Sequence, residues 1–249
     1  MPNSSGPAAP AVEVVRFELT YLDDEGAEQR NRLIDVGEVA FEAASPVRSF
    51  PAYHGQRNYP GLYWSASGGR HVGYESLLER DQAMLMDFDP GVVDFAAQPF
   101  WLHWHDGRRE RRHAPDFFAR RCDGVGVVVD CRPADRVKPN DAAAFRATAQ
   151  ACAAVGWEYE LVHGHDPVLV GNVRWLAGYR HPRHHDPQTA AALLEVFVRP
   201  GPLLVGTGRV GDPLGVLPVL YHLLWAGQLT VDLTVCLHED SVVGPGAAG

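Results

Sequence analysis

The stretch Val125-Gly126-Val127-Val128-Val129-Asp130-Cys131 is an almost unbroken apolar run with one acid near its end. A strand with one wet face alternates apolar and polar residues, whereas a continuous run is expected where both faces are covered. The chain must therefore supply layers for both sides of a central sheet. Tyr74 to Phe88 is the clearest predicted helix. Its apolar residues (Tyr74, Leu77, Leu78, Met84, Leu85, Phe88) fall at helical spacing, and Asp89-Pro90-Gly91 stops it. Asn140 to Val155 is an Ala-rich helix, Trp157 to His163 a strand, and Pro167 to Tyr179 an amphipathic helix. Short strand signals at Val92 to Phe95, Phe100 to His105 and His113 to Ala119 precede the apolar run. Strands alternating with helices predict an α/β domain with a mixed sheet flanked by helices.

Upstream, Val12 to Leu22 and Gln29 to Val36 read as a hairpin around Asp23-Asp24-Glu25-Gly26. Ser45 to Gly69, dense in Pro, Gly, Tyr and Ser, reads as a long ordered loop. Its aromatics (Phe50, Tyr53, Tyr59, Tyr63, Trp64) are assigned first to packing and only second to stacking on bases. Downstream, Arg180 to Gln188 has the Pro, His and charge mix of a linker, with His181, His184 and His185 solvated. Thr189 to Phe197 and Leu214 to Leu229 are helices, and two short strands run from Leu229 to Val243. That order predicts a small winged-helix domain. The resulting division is a disordered tail at 1–10, a first domain at 11–179, a linker at 180–188, a winged helix at 189–243 and a tail at 244–249.

Composition limits the function classes. The net charge is −9, which argues against coating nucleic acid through an overall field. Charge is unevenly placed. Arg108, Arg109, Arg111, Arg112, Arg120 and Arg121 fall in a short span holding only Glu110 and Asp116 as acids. A phosphate-tracking surface would therefore be local; the bland alternative is a charged hairpin turn. From Pro182 onward acids outnumber arginines, so the tail domain is acidic. The four cysteines form no CxxC pair and read as free thiols. No apolar run approaches a membrane span, and Met1 to Pro10 lacks a secretory pattern, so the expectation is a cytoplasmic protein with no membrane partner.

Three acids and one base fall where phosphodiester hydrolysis would use them. Glu79 lies on the first helix, Asp116 in Pro115-Asp116-Phe117-Phe118, and Asp130 and Arg132 close the apolar strand as Asp130-Cys131-Arg132-Pro133. Alternate strand residues share a face, so Asp130 and Arg132 are expected on one side and Cys131 on the other. Carboxylates can hold one or two Mg²⁺ ions against a phosphate, and a neighbouring cation stabilises the transition state. Other constellations are weaker. His103 and His105 alternate on a strand, but Trp101 and Trp104 favour a packed hairpin. Gly206-Thr207-Gly208 is too short for phosphate binding.

The order of these motifs is more specific than their types. Ser76-Leu77-Leu78-Glu79, then Val93-Asp94-Phe95-Ala96-Ala97-Gln98-Pro99-Phe100, then Pro115-Asp116-Phe117-Phe118, then Val129-Asp130-Cys131-Arg132-Pro133 resembles TnsA-like endonuclease subunits of heteromeric, Tn7-type transposases. The likeness continues through Pro167 to Leu176 and covers most of the chain from about residue 70. The resemblance implies a restriction-endonuclease-like PD-(D/E)xK domain followed by a winged helix. It implies a metal site of Glu79, Asp116 and Asp130, with Mg²⁺ as cofactor and Mn²⁺ tolerated. It further implies nicking of one strand at transposon ends in double-stranded DNA, alongside a DDE-type transposase and an AAA+ ATPase regulator.

The family's lysine position is occupied here by Arg132. Arginine keeps its charge and cannot serve as a base, though it can stabilise a transferring phosphate. Three readings follow: electrostatic substitution by Arg132, a reach back by Lys138, or a degenerate site. The first ranks ahead because all three acids are present. Glu75 is a further candidate ligand, ranked below Glu79. Arg108, Arg109, Arg111 and Arg112 are the candidate phosphate contacts. The rival function is a catalytically degenerate structural subunit that bridges transposase and ATPase.

Overall fold

The computed structural model describes residues 16–50 and 59–246. The expected tail at 1–10, Tyr53, and the last three residues lie outside that range. A first antiparallel hairpin pairs β1 (Glu18–Leu22) with β2 (Glu28–Arg32), and a second pairs β3 (Gly61–Ser65) with β4 (Arg70–Tyr74). Then follow α1 (Leu77–Phe88), β5 (Val92–Ala97), β6 (Phe100–His105), β7 (Glu110–His113), β8 (Phe117–Arg121) and β9 (Gly126–Cys131). After α2 (Pro139–Ala154), β10 (Glu158–Val162) and α3 (Pro167–Ala177), the chain continues as α4 (Pro187–Val196), β11 (Gly201–Pro202), α5 (Leu203–Val210), α6 (Pro213–Trp225), β12 (Leu229–Thr230) and β13 (Val242–Pro245). The protein is thus mixed α/β. Among the described residues, no single helix is long and apolar enough to cross a membrane.

The central sheet has the order β10-β9-β8-β5, and a second sheet the order β2-β1-β6-β7. β9 and β10 are parallel, joined through α2, as a parallel pair requires. β9 is buried on both sides, which accounts for its apolar run. Val129 and Cys131 face a core with Phe95, Phe117, Met84, Val173 and Leu176. Val128 faces the other core, with Phe118, Phe41, Phe100 and Trp157. Phe41, Phe100, Phe118 and Trp157 meet edge-on or stacked at 4.9–6.4 Å, contacts worth about 0.5–1.5 kcal/mol each beyond burial.

Three expectations change. The Ser45 to Gly69 loop contains a strand, β3, held to α1 by the buried Asp87 carboxylate. That carboxylate accepts from Tyr63 Oη (2.9 Å), Ser65 Oγ (3.0 Å) and the amides of Ala66 (3.0 Å) and Ser67 (2.9 Å). The helix begins at Leu77, not Tyr74, because Ser76 caps it, its Oγ accepting from the Glu79 amide. The predicted strand His113 to Ala119 is two strands, bent apart at Ala114-Pro115-Asp116.

The stretch 180–188 is largely exposed but anchored at its start. The Arg180 guanidinium lies 5.0 Å from the Tyr63 ring, and His181 stacks on Trp64 at 5.4 Å. Beyond them α5 was not foreseen, since Gly206 and Gly208 weaken its helical pattern. Gly206 is needed there because the Phe197 ring occupies the place of a side chain. β11, β13 and β12 form a small antiparallel sheet, so Gly244 and Pro245 of the expected tail are strand residues. This C-terminal part shares a core with the first: Phe88 packs on Trp225 at 5.2 Å.

Asn172 of α3 ties down the 231–241 segment. Its amide donates to the carbonyls of Leu233 (2.9 Å) and Val235 (2.7 Å), and its oxygen accepts from the Leu237 amide (3.0 Å). Asn172→Ala should cost about 1–2 kcal/mol, since the loop side is partly wet, and speed exchange of the Leu237 amide about tenfold. Hydrogen exchange that leaves Leu237 as protected as before would refute this anchoring.

Candidate active site

Asp116 sits at the bend between β7 and β8, where Pro115 interrupts strand pairing. Its backbone carbonyl accepts from the Gln98 amide (3.0 Å), and its Oδ2 accepts from the Cys131 amide (2.7 Å). The second bond locks the bend onto the end of β9. Burial holds the Asp116 carboxyl well above its usual range, and the nearby charges of Glu79 and Asp130 push it further. The Cys131 amide and Arg132 oppose that rise less strongly. Asp116 therefore feels the charge of both other predicted acids.

Glu79 is 7% exposed. Its Oε1 accepts from Ser76 Oγ (2.7 Å) and its Oε2 from the Glu75 amide (2.7 Å). Ser76 and Glu79 thus act as a reciprocal helix cap, a role for the Ser-x-x-Glu spacing that the sequence analysis passed over. Burial chiefly, with the Glu75 charge, raises the Glu79 carboxyl. Capping is worth about 0.5–2 kcal/mol, whereas burying an unpaired carboxylate costs several kcal/mol. The cap alone does not offset the burial.

Asp130 is 2% exposed. His113 Nε2 lies 2.8 and 3.0 Å from its two oxygens, and Tyr159 Oη donates at 2.9 Å. While the carboxylate is ionised, that imidazole nitrogen must carry a proton. His113 and Tyr159 were not singled out from sequence. Strand pairing brings them in: His113 ends β7 beside the central sheet, and Tyr159 on the parallel β10 pairs with Val128, two residues before Asp130 and on the same face. Burial and the Asp130 charge raise the Tyr159 hydroxyl, keeping it a donor. Cys131 points to the opposite core, as expected from alternation, and burial together with Asp116 and Glu79 pushes its thiol up.

Arg132 emerges from the strand exposed, with Nε 3.8 Å from Asp141 Oδ2 at the start of α2. It still lowers Asp116 through charge but pairs with none of the three acids. Glu75 precedes the helix and is neutralised by Arg48 through two bonds, 3.0 and 2.7 Å, which removes it as a free ligand. Lys138 is exposed at the start of α2, where its backbone amide donates to Asp141 (3.2 Å). No ion pair joins its side chain to the site among the described residues. His103 bonds to Thr20 (3.0 Å) and His105 accepts from the Gly107 amide (3.1 Å), so both belong to hairpin packing.

The arginine cluster divides. Arg120 pairs with Glu42 and Arg121 with Glu158, both as supports of the sheet edges. Arg112 lies 4.4 Å over Trp101 on the outer face. Arg111 is paired with Asp106 at 2.5 Å. Arg108 and Arg109 are exposed at the hairpin tip, where their amides bond to Asp106. A cleft of about 300 Å³ opens between this hairpin and α2, lined by Trp104, Arg111, His113, Arg132, Asn140 and Phe145. Through His113 it adjoins Asp130.

Among the described residues, no lysine or arginine pairs with Glu79, Asp116 or Asp130, and no three potential ligands stand already arranged about one ion. Buried carboxylates that lack a cationic partner suit a hard divalent cation. The residues thus fit such an ion chemically: Asp116 and Glu79 as oxygen donors, with Asp130 available on exchange of its hydrogen bonds. Compared with known proteins, the chain matches no family model and no curated protein.

Because Asp116 and Glu79 are raised in the fold, their protonated forms favour folding. That contribution is complete below the ordinary value of 3.8 for Asp116 and is lost as pH climbs through the raised value. Asp116→Asn stays neutral and keeps an acceptor for the Cys131 amide. In chelator at pH 7–8 it should therefore melt above the wild-type protein, with the gap closing towards pH 4 at about 1.4 kcal/mol per unit. Equal melting temperatures across that range would contradict the electrostatic account.

Proposed function

We propose that this protein is a Mg²⁺-dependent DNA endonuclease subunit of a heteromeric, TnsA-like transposase, which nicks one strand at transposon ends. The observation that carries the reading is that the buried Glu79 and Asp130 both act electrostatically on Asp116, and that none of the three pairs with a lysine or arginine among the described residues. The motif order resembling that family adds to it. A divalent ion, once bound, would supply an activated water and neutralise charge on the leaving oxygen. The chain's own groups do the rest. The Cys131 amide fixes Asp116, His113 and Tyr159 fix Asp130, and Ser76 fixes Glu79. Arg132 and Arg111 present cations to phosphates in the cleft beside the acids.

A restriction-endonuclease-like reading of the first part is supported by one acid at the end of β9, a second at the bend leading into the adjacent antiparallel β8, and a third on α1. The winged-helix reading of the second is supported by its order, α4-β11-α5-α6-β12-β13, with a hairpin of β12 and β13 after α6. Its acidic balance favours docking a protein partner, the AAA+ ATPase or the DDE-type transposase, over reading DNA. Salt-sensitive DNA affinity of that surface without partner binding would sink this assignment.

One observation favours the rival, a non-cutting scaffold bridging transposase and ATPase: Arg132 turns to Asp141, and the oxygens of Glu79 and Asp130 are already engaged. Nicking of plasmid-borne transposon ends, with partner subunits and Mg²⁺ or Mn²⁺, separates the two. The nuclease reading expects a nick that Asp116→Ala lowers on the order of 100-fold or more, and Arg132→Lys to cut at least as fast as wild type. A nick untouched by Asp116→Ala removes that acid from the chemistry, and an inert wild-type complex supports the scaffold.

A further inference from the structure

Gln98 combines three features that no purely structural role explains. It is 1% exposed, yet among the described residues neither its Nε2 nor its Oε1 has a hydrogen-bond partner. It has φ +48°, the only non-glycine residue with positive φ among those described. And its backbone is pinned on both sides, its amide donating to the Asp116 carbonyl (3.0 Å) and its carbonyl accepting from the Val47 amide (2.9 Å). The ladder of β5 and β8 pairs Ala97 with Phe117, so Gln98 extends it by one step and stands opposite Asp116.

The first two features each have a cost. A buried amide with no partner loses its hydration without replacement, and a left-handed backbone at a side chain with a Cβ is strained. Glycine would remove the strain, and an apolar side chain of the same length would remove the desolvation. Strained, unsatisfied residues concentrate where a ligand completes them. Here the neighbour is the acid at the centre of the candidate site.

We propose that Gln98 is a positioning residue of the acidic centre, its carboxamide reserved for an oxygen that arrives with the divalent ion, a water or a phosphate oxygen beside Asp116. This inference rests on the metal-centre reading above. In the resting fold the amide waits unpaired; with an ion at Asp116 it orients the incoming oxygen and holds the Asp116 bend. Fixing that bend through the Gln98 amide and the Cys131 amide places the carboxylate from two directions at once.

The test uses the full chain, stripped with chelator, and Mn²⁺ as the probe, with binding read by electron paramagnetic resonance and stability by thermal unfolding. Gln98→Met, which keeps length and removes the amide, is expected to melt at or above wild type in chelator. It should also bind Mn²⁺ about tenfold more weakly, in the range found for residues that orient metal ligands. Gln98→Glu, which keeps an acceptor oxygen, should restore affinity to at least the wild-type level. Asp116→Ala serves as the control. If Asp116→Ala loses Mn²⁺ while Gln98→Met binds as wild type does, this inference fails and the metal-centre reading stands. If Asp116→Ala binds Mn²⁺ unchanged, the metal-centre reading itself fails. A Gln98→Met protein that melts well below wild type would show that the amide is already used in the resting fold. Failure of Gln98→Glu to recover affinity would likewise overturn the assignment.

Discussion

Burial of β9 on both faces is the constraint on which the remaining architecture rests. Its Val128 side requires the Phe41, Phe100, Phe118 and Trp157 cluster, and its Val129 side requires the helices α1 and α3. Once both layers are in place, the strand's exit is the one part of it that can carry polar chemistry. Asp130 and Cys131 stand at that exit, and the Cys131 amide captures the Asp116 carboxylate from the neighbouring bend. The same ladder that closes the core therefore sets the spacing between two of the acids.

Electrostatics then makes the exit unstable by itself. Asp116 is raised by burial and by both neighbouring acids, and Glu79 by burial. Hydrogen bonds from Ser76, His113 and Tyr159 hold the Glu79 and Asp130 carboxylates in place. Glu75, by contrast, is neutralised by Arg48, and Asp87 spends its four hydrogen bonds holding a hairpin in place.

The C-terminal part is joined to the first by more than a chain connection. Apolar residues of α6 pack with α1 and α3, and Asn172 reaches across to three backbone groups of the 231–241 segment. The histidine-rich stretch between the parts is fastened by Arg180 and His181 to Tyr63 and Trp64. Motion between the two parts would expose this shared apolar surface, so they are coupled mechanically.

The sequence by itself determined the α/β class and the positions of α2, α3, α4 and α6, and it singled out Glu79, Asp116 and Asp130 as candidates. Those signals are local: an apolar period, a proline or glycine stop, an acid at a strand end. Ser76-Leu77-Leu78-Glu79 carried two meanings, a cap and a site, and only coordinates show that both oxygens of Glu79 serve the cap. Tertiary structure alone decided that Arg132 leans to Asp141, that His113 and Tyr159 flank Asp130, that β3 lies inside an apparent loop, and that Gln98 is buried without a partner. The reason is physical. Partners separated by many residues meet through strand register and the desolvation that packing imposes, and neither is encoded in the spacing of neighbours along the chain.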